Sequence, residues 1–402
     1  MSTISKQCSY LAIIALLAFG LLSFNFPNMQ QIAVRVCLPA AFVFTLFAIK
    51  DIKASQCFQL LIWLYLWHIV TTITAVNTSL AISQLRRLVG CFFMAFSFYY
   101  LGKKEKLIPW LYITYLVYYL GMIYYANQNI LTDEFDYTED RLDDRILNAN
   151  LVAYFSFFAT YIIYIFPFII KRKFWIKFFK VLFLLSPLWS FAVAIYTASR
   201  QVIVIQFPIV AILLYLRYLR KRSLRVQTTA VIIGLLALVM LYQRAMNIFE
   251  SSLLYQRTES ELVEDTRARH LRNSIRVGLE NPIFGVGPGN YGVYVYRRKT
   301  FSHSTYLEVF ANTGFIGLIL FCAMIWLFIK RQWQRYRRTK DNMFLYFLIF
   351  SLFYALDNVF YVFHIQPWLI AFLFLVDSHS RQYYNSLILN SQTKQLTQVS
   401  HM

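Results

Sequence analysis

The chain is dominated by long runs of apolar residues separated by short polar segments. About twelve of these runs are close to the roughly 17–25 residues that an α-helix needs to cross a bilayer. The pattern therefore predicts an all-α polytopic membrane protein with about twelve transmembrane helices. The predicted spans lie near 8–24, 32–49, 57–76, 86–102, 108–126, 149–170, 178–198, 201–219, 228–243, 304–329, 343–363 and 366–378.

The first apolar run, 8–24, is predicted to be a membrane span rather than a cleaved signal peptide. No small-residue cleavage site follows Phe24, and further spans come after it. The sequence contains no internal repeat or low-complexity tract. We therefore expect one integral membrane domain over 1–402.

Composition supports a membrane protein. Hydrophobic residues make up 59% of the chain and charged residues 14%, whereas soluble proteins carry about 25% charged residues. This balance excludes a disordered chain, a coiled coil and an ordinary cytosolic enzyme. The five cysteines all lie in apolar runs without a C-x-x-C pair, so neither a disulfide framework nor a zinc site is indicated.

The net charge of +20 would suggest nucleic-acid binding in a soluble protein. Here most of the cations fall into short loops that share one side of the membrane if the N-terminus is cytoplasmic. This asymmetry follows the positive-inside rule. The basic residues therefore indicate topology, with the bilayer as partner, no nucleic-acid partner and both termini in the cytoplasm.

Two segments on the predicted outer side are too long to be simple connections. Residues 127–148 are acidic, and residues 244–302 form a large loop between the ninth and tenth spans. The acidic segment could hold a cation, but its spacing matches no defined metal site, and we expect a solvated loop. The large loop is predicted to contain a helix from Glu261 to Glu280 and a turn over 281–290.

The turn contains the pattern Gly287-Pro-Gly-Asn-Tyr-Gly292, which fits G-x-G-x-x-G. It follows a helical stretch rather than a strand, so a dinucleotide site is not indicated. Glycine and proline are instead expected to supply the backbone angles of a tight turn. Motifs of zinc proteases, P-loops and serine hydrolases are absent from the sequence.

Candidate chemistry is limited to cations at the predicted outer face and one histidine. Arg200 lies between two spans with almost no loop, where an arginine either serves function or snorkels to the interface. Arg86 and Arg87 occupy the outer end of the fourth span, against the positive-inside trend. A further group, which is either functional or a solvated basic face, lies on the predicted outer helix: Arg267, Arg269, Arg272 and Arg276.

His303 precedes a predicted helix start. Thr305 and Glu308 have the spacing of a capping box, and an apolar face follows. The field of a helix N-terminus disfavours imidazolium, so we expect a neutral His303 that is able to accept a proton. A structural histidine is the alternative. Together with arginines on the same side, His303 could deprotonate a hydroxyl next to a bound diphosphate.

Three segments resemble the O-antigen ligase/polymerase superfamily of bacterial glycosyltransferases. They are the Thr-Ala-Ser-Arg step ending at Arg200, Arg267 ahead of Asn281-Pro-Ile-Phe-Gly-Val-Gly-Pro-Gly-Asn290, and His303-Ser-Thr-Tyr-Leu-Glu followed by Gly314-Phe-Ile-Gly. The resemblance covers about 190–330, with support from Asn150 at the start of the sixth span. Leu271 stands where relatives often carry an aromatic residue, so Arg267 and Arg269 both remain candidates for the second conserved arginine.

The resemblance implies an inner-membrane enzyme with its active site on the periplasmic face. Its donor would be a glycan on undecaprenyl diphosphate, and its acceptor either a second lipid-linked glycan or lipid A-core. Arg200 and Arg267 would stabilise the leaving diphosphate and His303 would be the general base. Arg86, Arg87, Arg269, Arg272 and Asn150 would contact substrate.

A single displacement at the sugar would invert its anomeric configuration, and the arginines would replace a metal, so that no cofactor is expected. The chain lacks the extended C-terminal periplasmic domain of protein-directed members, which makes a protein acceptor less expected. Polymerase and ligase both stay open, with a slight preference for polymerase. A flippase for the same lipid and a non-catalytic scaffold are the alternatives, but cations gather at one face rather than along a path through the bilayer.

Overall fold

The computed structural model describes residues 3–25, 29–131, 135–136, 148–200, 202–229, 232, 247–252, 255 and 266–399. Every regular element within these ranges is a helix. The predicted all-α class is confirmed for this part of the chain. The predicted ninth span, 228–243, lies almost entirely outside the described residues, as does most of the acidic segment 127–148.

Five helices come from the N-terminal third of the chain. Long apolar runs explain them, and polar side chains start two of them: Ser55 caps α3 through Phe58 N, and Asn77 caps α4 through Leu80 N. Their bounds are α1 (Thr3–Asn25), α2 (Gln30–Ala48), α3 (Gln56–Thr74), α4 (Thr78–Gly102) and α5 (Ile108–Asn129).

Nine further helices follow. They are α6 (Ala149–Ile169), α7 (Lys173–Leu184), α8 (Ser186–Thr197), α9 (Val202–Leu219), α10 (Thr266–Glu280), α11 (Tyr291–Tyr296), α12 (Thr305–Thr339), α13 (Asn342–Asp357) and α14 (Pro367–Val399). Short helical stretches also cover 224–229 and 247–251.

Eight of these helices are long and apolar enough to cross a membrane, or nine if the bent pair α7 and α8 is one span. The protein is thus a multi-pass membrane protein, but the predicted count of about twelve is not confirmed. Residues 178–198 read as one span in the sequence, yet the helices meet there at 49°. Pro187 in the first turn of α8 explains the break, because proline cannot continue the preceding helix.

The described residues fall into two compact units. Unit 1 takes its residues from 1–19, 28–114 and 266–402, and unit 2 from 20–27 and 115–265. In unit 1, α4 packs along α14, and α3 packs along α12. In unit 2, α6 packs against α7 and α8. The single membrane domain expected over 1–402 stays a prediction.

Candidate functional site

The glycine-rich turn after α10 packs backbone to backbone against α12. Val286 N donates to Ala311 O at 3.0 Å, and Phe315 N donates to Pro282 O at 2.7 Å. Phe315 is free to do so because Gly314 breaks α12 with φ 68° and ψ −167°. A Cβ on Gly314 would lie 2.3 Å from a carbonyl oxygen of the turn. The predicted turn with left-handed glycines is confirmed.

A buried carboxylate, Glu308, ties this turn to the segment that carries His303. Its two oxygens accept from Ser302 N at 2.6 Å and from Asn312 Nδ2 at 2.8 Å. Asn312 Oδ1 in turn accepts from the backbone N–H groups of Asn290 and Tyr291, at 3.1 and 2.9 Å. Both Glu308 oxygens are therefore hydrogen-bond acceptors, one for the His303 segment and one for the residue that holds the turn.

The predicted capping box at Thr305 and Glu308 is wrong. The N-cap residue is Ser304, whose side chain makes no capping bond. Thr305 N already donates to Asn358 O at 2.8 Å and to Tyr361 O at 3.0 Å. Because the backbone of a neighbouring connection satisfies this donor, Glu308 is available to hold Ser302 instead.

His303 adopts a left-handed backbone conformation, with φ 61°. Its neighbours Ser302 and Ser304 are buried, and the Ser302 hydroxyl donates to Ser304 O at 2.9 Å. A left-handed residue other than glycine costs about 1–2 kcal/mol. Such strain is typical of functional sites, where the surroundings enforce it. Here Glu308 and the bonds of Thr305 fix both sides of His303.

The His303 ring lies against cationic and aromatic groups of α10. Its centroid is 5.4 Å from that of His270, with the rings nearly perpendicular. Burial, and to a smaller extent the positive charge of Arg267 and the presence of His270, together lower the pKa of His303 to about 4. His303 is thus neutral at pH 7, as the sequence predicts. The cause is burial and Arg267, rather than the helix N-terminus.

His270 was not singled out in the sequence. It is buried, and its Nδ1 lies 3.3 Å from the Tyr291 hydroxyl, which donates to His270 O at 2.9 Å. Because that hydroxyl has one hydrogen, which it donates to His270 O, the longer contact fits an Nδ1–H donor. Burial, Arg269 and Arg298 lower the pKa of His270. The sequence does contain a signal for a buried His270. It is seven residues, or two helical turns, before the apolar Val277 and therefore lies on the same face of the helix.

Arg267 and Arg269 differ in their surroundings. Arg267 lies three residues before His270, on the buried side of α10, and is half-buried. Arg269 and Arg272 are exposed, and Arg276 forms a surface ion pair with Glu280 at 3.8 Å. Of the two candidates that the sequence left open, Arg267 is the one whose charge acts on His303.

Arg86 and Arg87 are exposed on α4. The charge of Arg87, together with burial, lowers the pKa of Lys299, so Arg87 faces the loop before His303. That loop contains a basic run, Arg297 to Lys299, that the sequence analysis did not select. Three consecutive cations on the predicted outer side, against the positive-inside trend, would have been the signal.

Arg200 and Asn150 belong to unit 2. As predicted, almost no loop separates α8 from α9: Ala198 is left-handed, with φ 46°, and Arg200 is half-buried just beyond it. Asn150 is in the first turn of α6, and its backbone N–H donates to Oδ1 of the N-cap residue Asn148 at 3.0 Å. Ala153, one turn further, packs in one cluster with Ala198. Asn150 and Arg200 therefore lie at the same end of unit 2.

These features define a multi-pass helical membrane protein with a neutral histidine beside an arginine at the start of a span. Residues 185–322 match the family model described as O-antigen ligase. The match includes Arg200, Arg267 and His303 and confirms the resemblance to the O-antigen ligase/polymerase superfamily. No curated protein is similar enough to the chain to count as a match.

Proposed function

We propose that this protein is an inner-membrane inverting glycosyltransferase. It transfers a glycan from undecaprenyl diphosphate to the hydroxyl of an acceptor sugar on the periplasmic face. The observation that carries the proposal is the neutral His303 held beside Arg267 in a strained, fully anchored segment. A neutral imidazole accepts a proton, and a neighbouring guanidinium stabilises negative charge on a phosphate.

In the proposed reaction, the acceptor oxygen attacks the anomeric carbon of the donor sugar. The bond from that carbon to the diphosphate oxygen breaks, and undecaprenyl diphosphate leaves with the electron pair. The acceptor proton passes to His303. Arg267 stabilises the charge that develops on the leaving diphosphate. One displacement at the sugar carbon inverts its configuration.

The lowered pKa of His303 fits a base that works next to an anion. Arg267 and burial disfavour imidazolium in the free protein. A bound diphosphate would offset the charge of Arg267 and raise the pKa of His303 in the complex. The histidine would therefore become a stronger base when the donor is bound.

The remaining candidate residues are assigned to substrate contacts. Arg269, Arg272, Arg86 and Arg87 are exposed cations of unit 1, and we assign them to donor or acceptor contacts at the rim of the site. Arg200 as a second diphosphate ligand and Asn150 as a substrate contact are proposed on the family resemblance alone. The acceptor, a second lipid-linked glycan or lipid A-core, decides between polymerase and ligase, and we retain a slight preference for polymerase.

The purified protein tests this proposal directly. In detergent, with a lipid-linked glycan donor and a glycan acceptor, it should release undecaprenyl diphosphate and form one glycosidic bond for each molecule released. EDTA should leave this activity intact, because arginines replace a metal. Donor transport without release of undecaprenyl diphosphate would indicate the flippase alternative, and neither activity would indicate a scaffold. A complete loss in EDTA that magnesium restores would contradict metal independence.

A further inference from the structure

The C-terminal half of α12 carries a second concentration of cations, far along the helix from His303. From Phe315 to Thr339 this part of the helix is about 37 Å long at 1.5 Å per residue. The hydrocarbon core of a bilayer is about 30 Å thick, so the last turns extend past it. At this rise the stretch from Arg335 to Arg338 lies about 30–35 Å from Phe315, at the level of lipid headgroups.

An apolar groove runs between this part of α12 and α13. It has a volume of about 760 Å³, and Trp326, Trp333 and Leu352 line it. Both tryptophans are exposed, at 62% and 46%. Trp333 lies next to these arginines, and an exposed tryptophan near the end of a membrane helix is typical of the interface between hydrocarbon and headgroups. The groove therefore has the chemistry of a site for an acyl chain.

A smaller cavity of about 270 Å³ adjoins this groove, because Gln334 and Arg338 line both. Its other cationic lining residues are Arg331, Arg335 and Arg381. Four guanidinium groups around so small a volume favour a phosphate, which each can bind through two oxygens.

Three of these arginines are held in place by neutral partners. Arg335 donates to Ser380 Oγ at 2.7 Å, Arg331 to Gln56 Oε1 at 3.0 Å, and Arg381 to the Tyr99 hydroxyl at 3.3 Å. These bonds orient the guanidinium groups without neutralising them.

One buried acid, Asp377, interacts electrostatically with Arg335. Its Oδ2 accepts from Ser55 at 2.8 Å. Among the described residues, no carboxylate forms a salt bridge with any of the four arginines. One aspartate against four arginines leaves this cavity with an excess of positive charge.

We infer that this composite cavity binds an anionic phospholipid. The headgroup phosphate lies among the four arginines, and an acyl chain lies in the groove between α12 and α13. Basic pockets between transmembrane helices bind anionic lipid headgroups in this manner. By the positive-inside rule this end of α12 faces the cytoplasm, so the lipid comes from the leaflet opposite the proposed active site. The inference does not depend on the proposed function.

Arg338 is the side chain to vary. It lines both parts of the cavity and is exposed, so its replacement leaves the internal hydrogen bonds of the other arginines in place. Lys340 is the matched control, since it lies two residues further, is exposed and lines neither part. Arg338→Gln and Lys340→Gln remove the same charge from the same helix end.

The experiment measures lipid binding to the full chain in a neutral detergent, by native mass spectrometry and by the shift in thermal unfolding. Phosphatidylglycerol should bind and stabilise the protein more than phosphatidylcholine of the same chains. Arg338→Gln should weaken phosphatidylglycerol binding about fivefold, the usual contribution of one cation near a lipid surface. Lys340→Gln should bind it like the parent protein.

Three results would overturn the inference. The first is equal affinity for phosphatidylglycerol and phosphatidylcholine. The second is the same loss in both variants, which would mean that general surface charge attracts the lipid. The third is equal stabilisation by inorganic phosphate, which would mean that the arginines form a site for a free anion rather than for a lipid.

Discussion

His303 combines a polar loop position with a buried, neutral ring and a left-handed backbone. It lies in a polar loop, yet burial and Arg267 keep the imidazole neutral at pH values well below the ordinary histidine pKa. Its left-handed backbone would relax if the chain were free, but Glu308 and Thr305 hold the segment on both sides. A neutral imidazole beside a guanidinium that stays charged provides a proton acceptor and an anion ligand in one place.

The pH dependence of transfer should report this neutral state. A histidine with a pKa of about 4 is unprotonated above roughly pH 5. The value of kcat/KM for the donor, which reports the protein before the diphosphate binds, should therefore stay constant far below the usual pH of 6.5 and fall only towards pH 4. Arg267→Gln removes a cation that disfavours imidazolium, so the pKa of His303 should rise. The acid limb of the residual activity should therefore shift to higher pH. Arg272→Gln, on the exposed side of the same helix, should leave the limb unchanged. An acid limb near 6.5 in the parent protein would contradict the assignment.

Replacing arginine by lysine separates charge from geometry. Lysine keeps the positive charge but loses the planar fork that binds two phosphate oxygens. Arg267→Lys should therefore lose most of the transfer activity, whereas Arg269→Lys and Arg272→Lys should be tolerated because those side chains are exposed. Transfer rates of the three purified variants give the comparison. If Arg269→Lys is the inactive one, Arg269 and not Arg267 is the diphosphate ligand.

At the scale of elements, the break in α12 organises the site. Gly314 separates a short helical segment, which starts just after His303, from the long membrane helix. The glycine-rich turn packs into this break, and Asn312 holds the turn through two backbone N–H groups. The backbones approach so closely that a side chain at Gly285 would lie 2.3 Å from the Asn312 carbonyl carbon.

Gly285→Ala should therefore destabilise the protein and reduce transfer. Alanine at φ 65° costs about 1–2 kcal/mol, and the contact with Asn312 adds to this. Gly90→Ala is the control, because Gly90 is inside α4 and its new methyl group would lie 3.6 Å from Leu38 of α2, an ordinary van der Waals contact. Thermal unfolding in detergent should show a lower midpoint for Gly285→Ala alone. Equal midpoints would mean that the turn does not pack on α12 as described.

Local sequence patterns predicted individual helices and turns better than the contacts that these elements make with distant segments. The glycine-rich turn, the outer helix over its described part and the tight step at Arg200 are confirmed because each depends on neighbouring residues. The capping box failed because Thr305 bonds to the distant connection around Asn358, and no local pattern encodes that contact. His270 was missed because its partners, Tyr291 and His303, come from two other segments.

At the scale of the whole molecule, unit 1 uses the two ends of α12 differently. Its N-terminal end adjoins His303 and the glycine-rich turn, while its C-terminal end carries the arginine cavity. The sequence predicted this division through its charge pattern. It did not predict the bend at Pro187, because hydropathy alone cannot show that one apolar run forms two helices.

Topology is the prediction that belongs to this scale. Residues 127–148 and 244–302 should be periplasmic, and the loops around Arg222 and Lys330–Lys340 cytoplasmic, because cations accumulate on the inside. Alkaline phosphatase fused after Tyr255 should be active, and the same enzyme fused after Arg222 should be inactive. Comparable amounts of both fusions in the membrane are the control. The opposite pattern would place His303 on the cytoplasmic side.

The most direct measurement compares donor binding with glycan transfer in His303→Ala. Removing a general base should lower the transfer rate by roughly 10²-fold or more. Donor-lipid affinity should stay close to that of the parent protein, because Arg267 and the other proposed phosphate ligands remain. An unchanged thermal midpoint would show that the strained segment still folds. Transfer at the normal rate by His303→Ala would contradict the account, and His303 would then be a structural residue at the start of α12.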